Sequence, residues 1–136
     1  MTSISALALT AFIGWALALL ILMELLRTQL VLSGRVASNR FTPDNAGLSP
    51  FLQRLARAQS NCVESLPIFG GLLLVALATG RAGITDPLAP WLAGARIVQS
   101  VIHLVSLGVW AVNARFTAFA VQVAIAAYWT WALAMR

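Results

Sequence analysis

The sequence predicts an all-α integral membrane protein, a single domain over residues 1–136 built as a four-helix bundle. Three observations carry this. Hydrophobic residues make up 60% of the chain and charged residues only 10%, against roughly 45–50% and about 25% in soluble domains. Mean hydropathy is +0.87. Four apolar stretches, at about 4–27, 50–80, 88–112 and 114–135, are each long enough to approach or exceed the ~20 residues that cross a bilayer. A soluble chain of this size could not cover such a surface with polar groups. Intrinsic disorder, a collagen-like fibre and a disulfide-stapled secreted domain are excluded by the same composition.

The first span starts near Ile4 and is apolar up to Glu24 and Arg27. It lacks a positive leading region, and its apolar run exceeds the roughly 7–15 residues of a signal peptide, so it reads as a retained helix. Thr28 to Ser49 is a polar connection whose Ser33-Gly34 and Pro43-Asp44-Asn45-Ala46-Gly47 are turn chemistry. Ser49-Pro50 reads as an N-cap followed by proline at the first helical position. The second span is longer than the hydrocarbon layer, and its first turns, with Arg54 and Arg57, project beyond it. Gly80 and Gly83 close it. Thr85-Asp86-Pro87 restarts the chain, and the third and fourth spans form an antiparallel hairpin. Trp91, Trp110, Trp129 and Trp131 lie near span ends, where interfacial anchors belong.

All nine basic residues are arginines, set against four acids. Arg27, Arg35, Arg40, Arg54, Arg57 and Arg115 fall on one side of the expected layout, Arg81 and Arg136 on the other. The positive-inside rule then puts the first and third loops in the cytoplasm and both termini outside. The arginines are scattered rather than gathered with exposed aromatics, so no nucleic-acid partner is expected. One histidine and one cysteine, Cys62, give neither a metal site nor an intrachain disulfide.

Ionisable and amide side chains inside apolar spans are expensive in lipid and should face a bundle interior or a wet cavity. At 100° per residue, Asn61 lies about 40° to one side of Arg57 and Glu64 about 20° to the other. A cation, an amide and a carboxylate therefore share one face of the second span. Two readings stand: a grip on a zwitterionic ligand, or a self-satisfied network between helices. Pro67 should kink that helix or free the carbonyl of Val63. Gly70-Gly71 reads as a helix-packing site. Arg96, Gln99 and His103 share a face of the third span, and equal depth predicts a Glu64–His103 contact. Arg115 is either a topogenic charge or a cation aimed at a thiolate near a helix N-terminus.

Residues Arg57 to Phe69, Arg-Ala-Gln-Ser-Asn-Cys-Val-Glu-Ser-Leu-Pro-Ile-Phe, resemble the signature R-A-x-x-N-x-x-E-x-x-P-x-F of the MAPEG family, the membrane-associated proteins in eicosanoid and glutathione metabolism. Every fixed position is met, and the resemblance extends over the whole chain. It implies a homotrimer of four-helix subunits in the membrane, with glutathione as cosubstrate held between neighbours near the cytoplasmic side. It also implies a glutathione S-transferase or peroxidase-like activity toward lipophilic electrophiles. Arg57, Gln59, Asn61 and Glu64 carry over as glutathione contacts from one helix face. Arg35, or Arg27, matches an arginine at or after the first helix. Arg115, with Thr117 nearby, matches the arginine that stabilises the glutathione thiolate. Where family members often carry tyrosines, Ser65, Gln99 and His103 stand here, and Gln99 and His103 are the expected ligand contacts on the third span. A second reading keeps the fold without catalysis, as a lipid-binding or scaffold member. A third, a small transporter suggested by Arg96 and His103, lacks broken helix pairs or repeats.

Overall fold

A computed structural model describes residues 3–105 and 108–135. The order is α1 Ile4–Leu32, α2 Pro50–Ala78, a single turn α3 Ala82–Thr85, α4 Ala89–Val105 and α5 Val109–Met135. The helices begin where side-chain oxygens meet orphan amides. Ser3 Oγ accepts from Ala6 N at 3.0 Å and Ser49 Oγ from Leu52 N at 3.3 Å, with Pro50 just inside.

The ends differ from the sequence reading in two places. The first helix does not stop near Arg27 but runs to Leu32. Its stop signal is Gly34, at φ 75°. Gly34 N donates to Val31 O and Arg35 N to Leu30 O, both at 3.0 Å, which satisfies the last carbonyls through a left-handed glycine. Gly80, at φ 70°, closes α2 in the same way through Gly80 N to Leu77 O and Arg81 N to Ala76 O.

The hairpin also turns earlier than the sequence predicts. The expected third span 88–112 ends at Val105, and the expected fourth, from 114, already begins at Val109. Gly108 O accepts from Val112 N at 2.9 Å, so the break lies at the glycine and not at Asn113. As a result α4 has 17 residues, about 26 Å of helix. Helices α1, α2 and α5 are long and apolar enough to cross a membrane; α4 falls short of the ~30 Å layer on length.

The core lies where α1, α2 and α4 meet, with α5 packed chiefly on α4. Phe12, Leu19, Met23, Leu55, Leu73, Leu92 and Trp129 fill it. Phe12 and Phe69 meet edge to face at 6.2 Å. Polar clamps hold the ends. Asp86 Oδ1 accepts from Ser5 N at 2.9 Å at the positive end of α1, and the Ser5 and Thr85 hydroxyls hydrogen-bond each other. At the opposite end, Arg54 Nε donates to Leu104 O at 2.8 Å, a cation on the last turn of α4. Large apolar side chains such as Leu7, Leu25, Ile68 and Trp110 stay exposed, as a lipid-facing surface requires.

Candidate functional site

The polar face of α2 opens on two sides of the helix. On the side toward α5, Asn61, Glu64, Ile68, Phe119 and Val123 line a cleft of about 390 Å³. Asn61 and Phe119 also line a smaller cleft of about 230 Å³, with Gln99 and Arg115 on its walls. On the side toward α1 and the first loop, Gln59 lines a cleft of about 410 Å³ with Glu24, Arg27 and Phe41. Gln59 therefore does not share the face of Asn61 and Glu64. It lies two residues from each of Arg57 and Asn61, about 200° around the helix.

The row itself is open. Glu64 and Arg57 are exposed and Asn61 is half-buried. Among the described residues no hydrogen bond joins any of these three side chains to the protein, and the ion pair between Arg27 Nη1 and Glu24 Oε1, at 3.9 Å, lies elsewhere. The row is not a self-satisfied network within one chain.

The expected Glu64–His103 contact does not form. Glu64 opens to the cleft beside α5, whereas His103 is 5% exposed. Equal depth along the bundle does not fix azimuth, and residues on packed helices meet only when their faces also turn toward each other.

Arg115 stands in the second turn of α5, not at its opening, because α5 begins at Val109. The helix dipole acts mainly within the first turn, so the charge of Arg115 must act through its own guanidinium. Its Nε is buried without a hydrogen-bond partner. Arg35 is exposed just beyond the end of α1 and lines none of these clefts. Arg27 does line the α1 cleft, but its Nε and Nη2 are engaged by Asn45 Oδ1 and Thr42 O. Ser65 turns its hydroxyl onto the carbonyls of Asn61 and Cys62 at 3.0 and 3.1 Å.

One polar chain escaped the sequence reading. Arg96 Nε donates to Gln122 Oε1 at 3.0 Å, and Gln122 Nε2 to Gln99 Oε1 at 2.8 Å. Its signal was Gln122 itself, an amide deep in the apolar run of α5.

The pattern of the MAPEG family matches residues 5–135. The chain belongs to the MAPEG family. No curated protein and no solved structure matches it. It is thus an all-helical, multi-pass membrane protein with the MAPEG fold. MAPEG members generally bind glutathione or lipid substrates, and many are glutathione transferases or peroxidases. The structure divides the MAPEG signature by task. Ala58 and Phe69 are buried and pack the bundle, while the side chains of Arg57, Asn61 and Glu64 make no hydrogen bond among the described residues.

Proposed function

We propose that this MAPEG protein binds glutathione and joins it to, or uses it to reduce, lipophilic electrophiles drawn from the bilayer. The supporting observation is the row Arg57, Asn61 and Glu64, left without partners in its own chain beside clefts that also carry Gln99 and Arg115. Glutathione carries carboxylates, an amine and amides, which such a row complements: guanidinium to carboxylate, carboxylate to ammonium, amide to peptide.

The second support is the split across α2. Gln59 with the α1 cleft, and Asn61 with the α5 cleft, lie on opposite sides of one helix. One ligand reaches both sets only if two copies contribute opposite sides to a shared crevice. A homotrimer with a site between neighbours meets that condition. His103 then supports the wall of the crevice, and Arg35 at the end of α1 reaches the ligand from the neighbour.

A thiol is a weak nucleophile until ionised, and a guanidinium favours the thiolate. Arg115, which lines the cleft with Asn61 and Gln99, holds that sulfur. The thiol proton leaves to water, the thiolate attacks the electrophilic carbon, and a carbon–sulfur bond forms as the leaving group departs. The polar cosubstrate enters from the cytoplasm and the apolar one from the membrane. Helices α1, α2 and α5 cross the bilayer and α4, with the connections at its two ends, completes the fourth pass, so that both termini lie outside and the arginine-rich first loop inside.

Native mass spectrometry with and without glutathione tests the assembly and the ligand together. Trimers gaining glutathione, with conjugation of a standard electrophile by the purified protein, are expected. Monomers, or trimers that ignore glutathione, sink the reading. A non-catalytic, lipid-binding role is favoured by one observation: Ser65 spends its hydroxyl on its own helix and offers the ligand no phenol-like donor. Binding without conjugation is its signature.

A further inference from the structure

The bundle holds a cation that the proposed reaction does not use. Arg96 on α4 is 1% exposed. Its guanidinium carbon lies 5.8 Å from the ring centre of Phe12 and 5.9 Å from that of Phe69. Ring faces thus stand where a carboxylate would be expected, and no described acid pairs with it. Its Nε donates to Gln122 Oε1, and Gln122 Nε2 donates both to Gln99 Oε1 and to Ala118 O, the latter at 3.0 Å. Gln99 and Gln122 are buried as well.

A primary amide has a donating and an accepting end, and it turns whichever way its surroundings dictate. A guanidinium only donates and stays protonated. Opposite Arg96, Gln122 must therefore present its carbonyl, which sends its NH2 away. That NH2 needs an acceptor, so Gln99 presents its own carbonyl in turn. The amide nitrogen of Gln99 is then left for the cleft that it lines with Asn61 and Arg115. A donor-only residue fixes the direction of two amides in series.

We propose that Arg96 and Gln122 are positioning residues that fix the Gln99 amide with its N–H toward the cleft, so that the cleft selects an acceptor group bearing negative charge, a carboxylate or a thiolate. The proposal rests on the glutathione reading for its ligand, but not for the direction of the amide. Gln122→Glu inverts the chain. The carboxylate still accepts from Arg96 but cannot donate, so Gln99 turns its NH2 inward and shows a carbonyl to the cleft. Arg96→Lys keeps a donor-only partner and preserves the direction.

The test uses the full-length protein in detergent with selectively 15N-labelled glutamine. In the wild type, the Gln99 side-chain amide protons should exchange with solvent and shift on adding glutathione, while those of Gln122 stay protected. In Gln122→Glu the Gln99 protons should become protected, and the glutathione Kd should rise at least tenfold by calorimetry. Arg96→Lys should stay within about threefold of wild type. A protected Gln99 amide in the wild type, or an unchanged Kd in Gln122→Glu, overturns the proposal. The exchange measurement needs no ligand, so a wild type that fails to bind glutathione overturns the functional reading alone.

Discussion

Arg27 and Asn45 lock the first loop to the end of α1. Arg27 Nε and Nη2 donate to Asn45 Oδ1 at 3.1 and 2.7 Å, across 18 residues of sequence. Asn45 is fully buried in the loop, at φ 57°, and its Nδ2 donates to Leu52 O at 2.7 Å in the first turn of α2. One amide thus joins α1, loop and α2 and shapes the cleft that Gln59 and Arg27 line. Its left-handed backbone is one that asparagine tolerates and β-branched residues do not.

Asn45→Ala removes both ends of this clamp, taking the Oδ1 acceptor from the half-buried Arg27 guanidinium and the Nδ2 donor from Leu52 O. A loss of about 1–3 kcal/mol is expected, more than for an exposed loop residue. Asn45→Val should cost more, because the backbone strain adds to the lost bonds. Thermal melting of the purified protein in detergent checks the order of wild type, alanine and valine.

Asp44, next to it, is exposed and sits in a side-chain turn. The Thr42 hydroxyl at 2.7 Å and the Ala46 N–H at 3.2 Å hold its carboxyl below the ordinary aspartate value. A depressed folded value means that its contribution to stability is present above the unfolded value and fades as pH falls through the folded one. NMR titration of the Asp44 carboxyl should give a midpoint below that of an aspartate in a free peptide. Thr42→Val, which removes the largest cause, should move the midpoint upward.

How far the residues announced this structure depends on which link is asked. The helix start at Ser49-Pro50 and the shared face of Arg57, Asn61 and Glu64 follow from capping chemistry and a 100° step, whereas spacing alone left open whether that face is self-satisfied. The break at Gly108 did not, because Ser106 and Gly108 are its only marks in a stretch that is otherwise apolar from Leu104 to Val112. The Glu64–His103 pairing failed for a related reason. Spacing gives a face on each helix, but the rotation of one helix against another is set by packing of residues such as Phe12, Leu55 and Leu92. Arg96 was legible as an intramembrane cation; that two rings and an amide chain receive it was not.

Gly70 and Gly71 are adjacent but not equivalent. A Cβ on Gly70 would stand 3.2 Å from Leu66 Cδ1 and 3.2 Å from Leu9 Cδ1, whereas one on Gly71 would meet nothing within 4 Å. Gly70 is therefore where α1 and α2 approach closely. Gly70→Leu should lower the melting midpoint well beyond Gly71→Leu, because overpacking of about 1–3 kcal/mol or more falls on the α1–α2 contact. Equal effects of the two substitutions would mean that the close approach does not contribute.

Glu64 tests the ligand row. As an exposed carboxylate without an intrachain partner, it should contribute little to folding and much to a ligand ammonium. Glu64→Gln is expected to leave the melting midpoint within about 1 °C and to weaken glutathione about tenfold or more, the scale of one charge-assisted bond. An analogue of glutathione lacking the amino group should bind wild type and variant alike. A variant that discriminates against that analogue as strongly as wild type does would place the ammonium elsewhere.

Arg115 separates binding from activation. It lines the cleft with Asn61 and Gln99, so the role proposed for it is read on the ligand's sulfur. Arg115→Ala should reduce the thiolate absorbance that appears when glutathione is mixed with the protein, followed by stopped-flow ultraviolet spectroscopy, while glutathione affinity falls only a few-fold. A guanidinium beside the sulfur stabilises the ionised form over the neutral one, so its removal shifts the ionisation and leaves contacts to the peptide backbone in place. The same substitution should lower conjugation by the fraction of thiolate lost, and raising the pH should restore part of it by ionising the thiol without help. An unchanged thiolate amplitude, or activity that raised pH fails to recover, would assign Arg115 to membrane orientation instead.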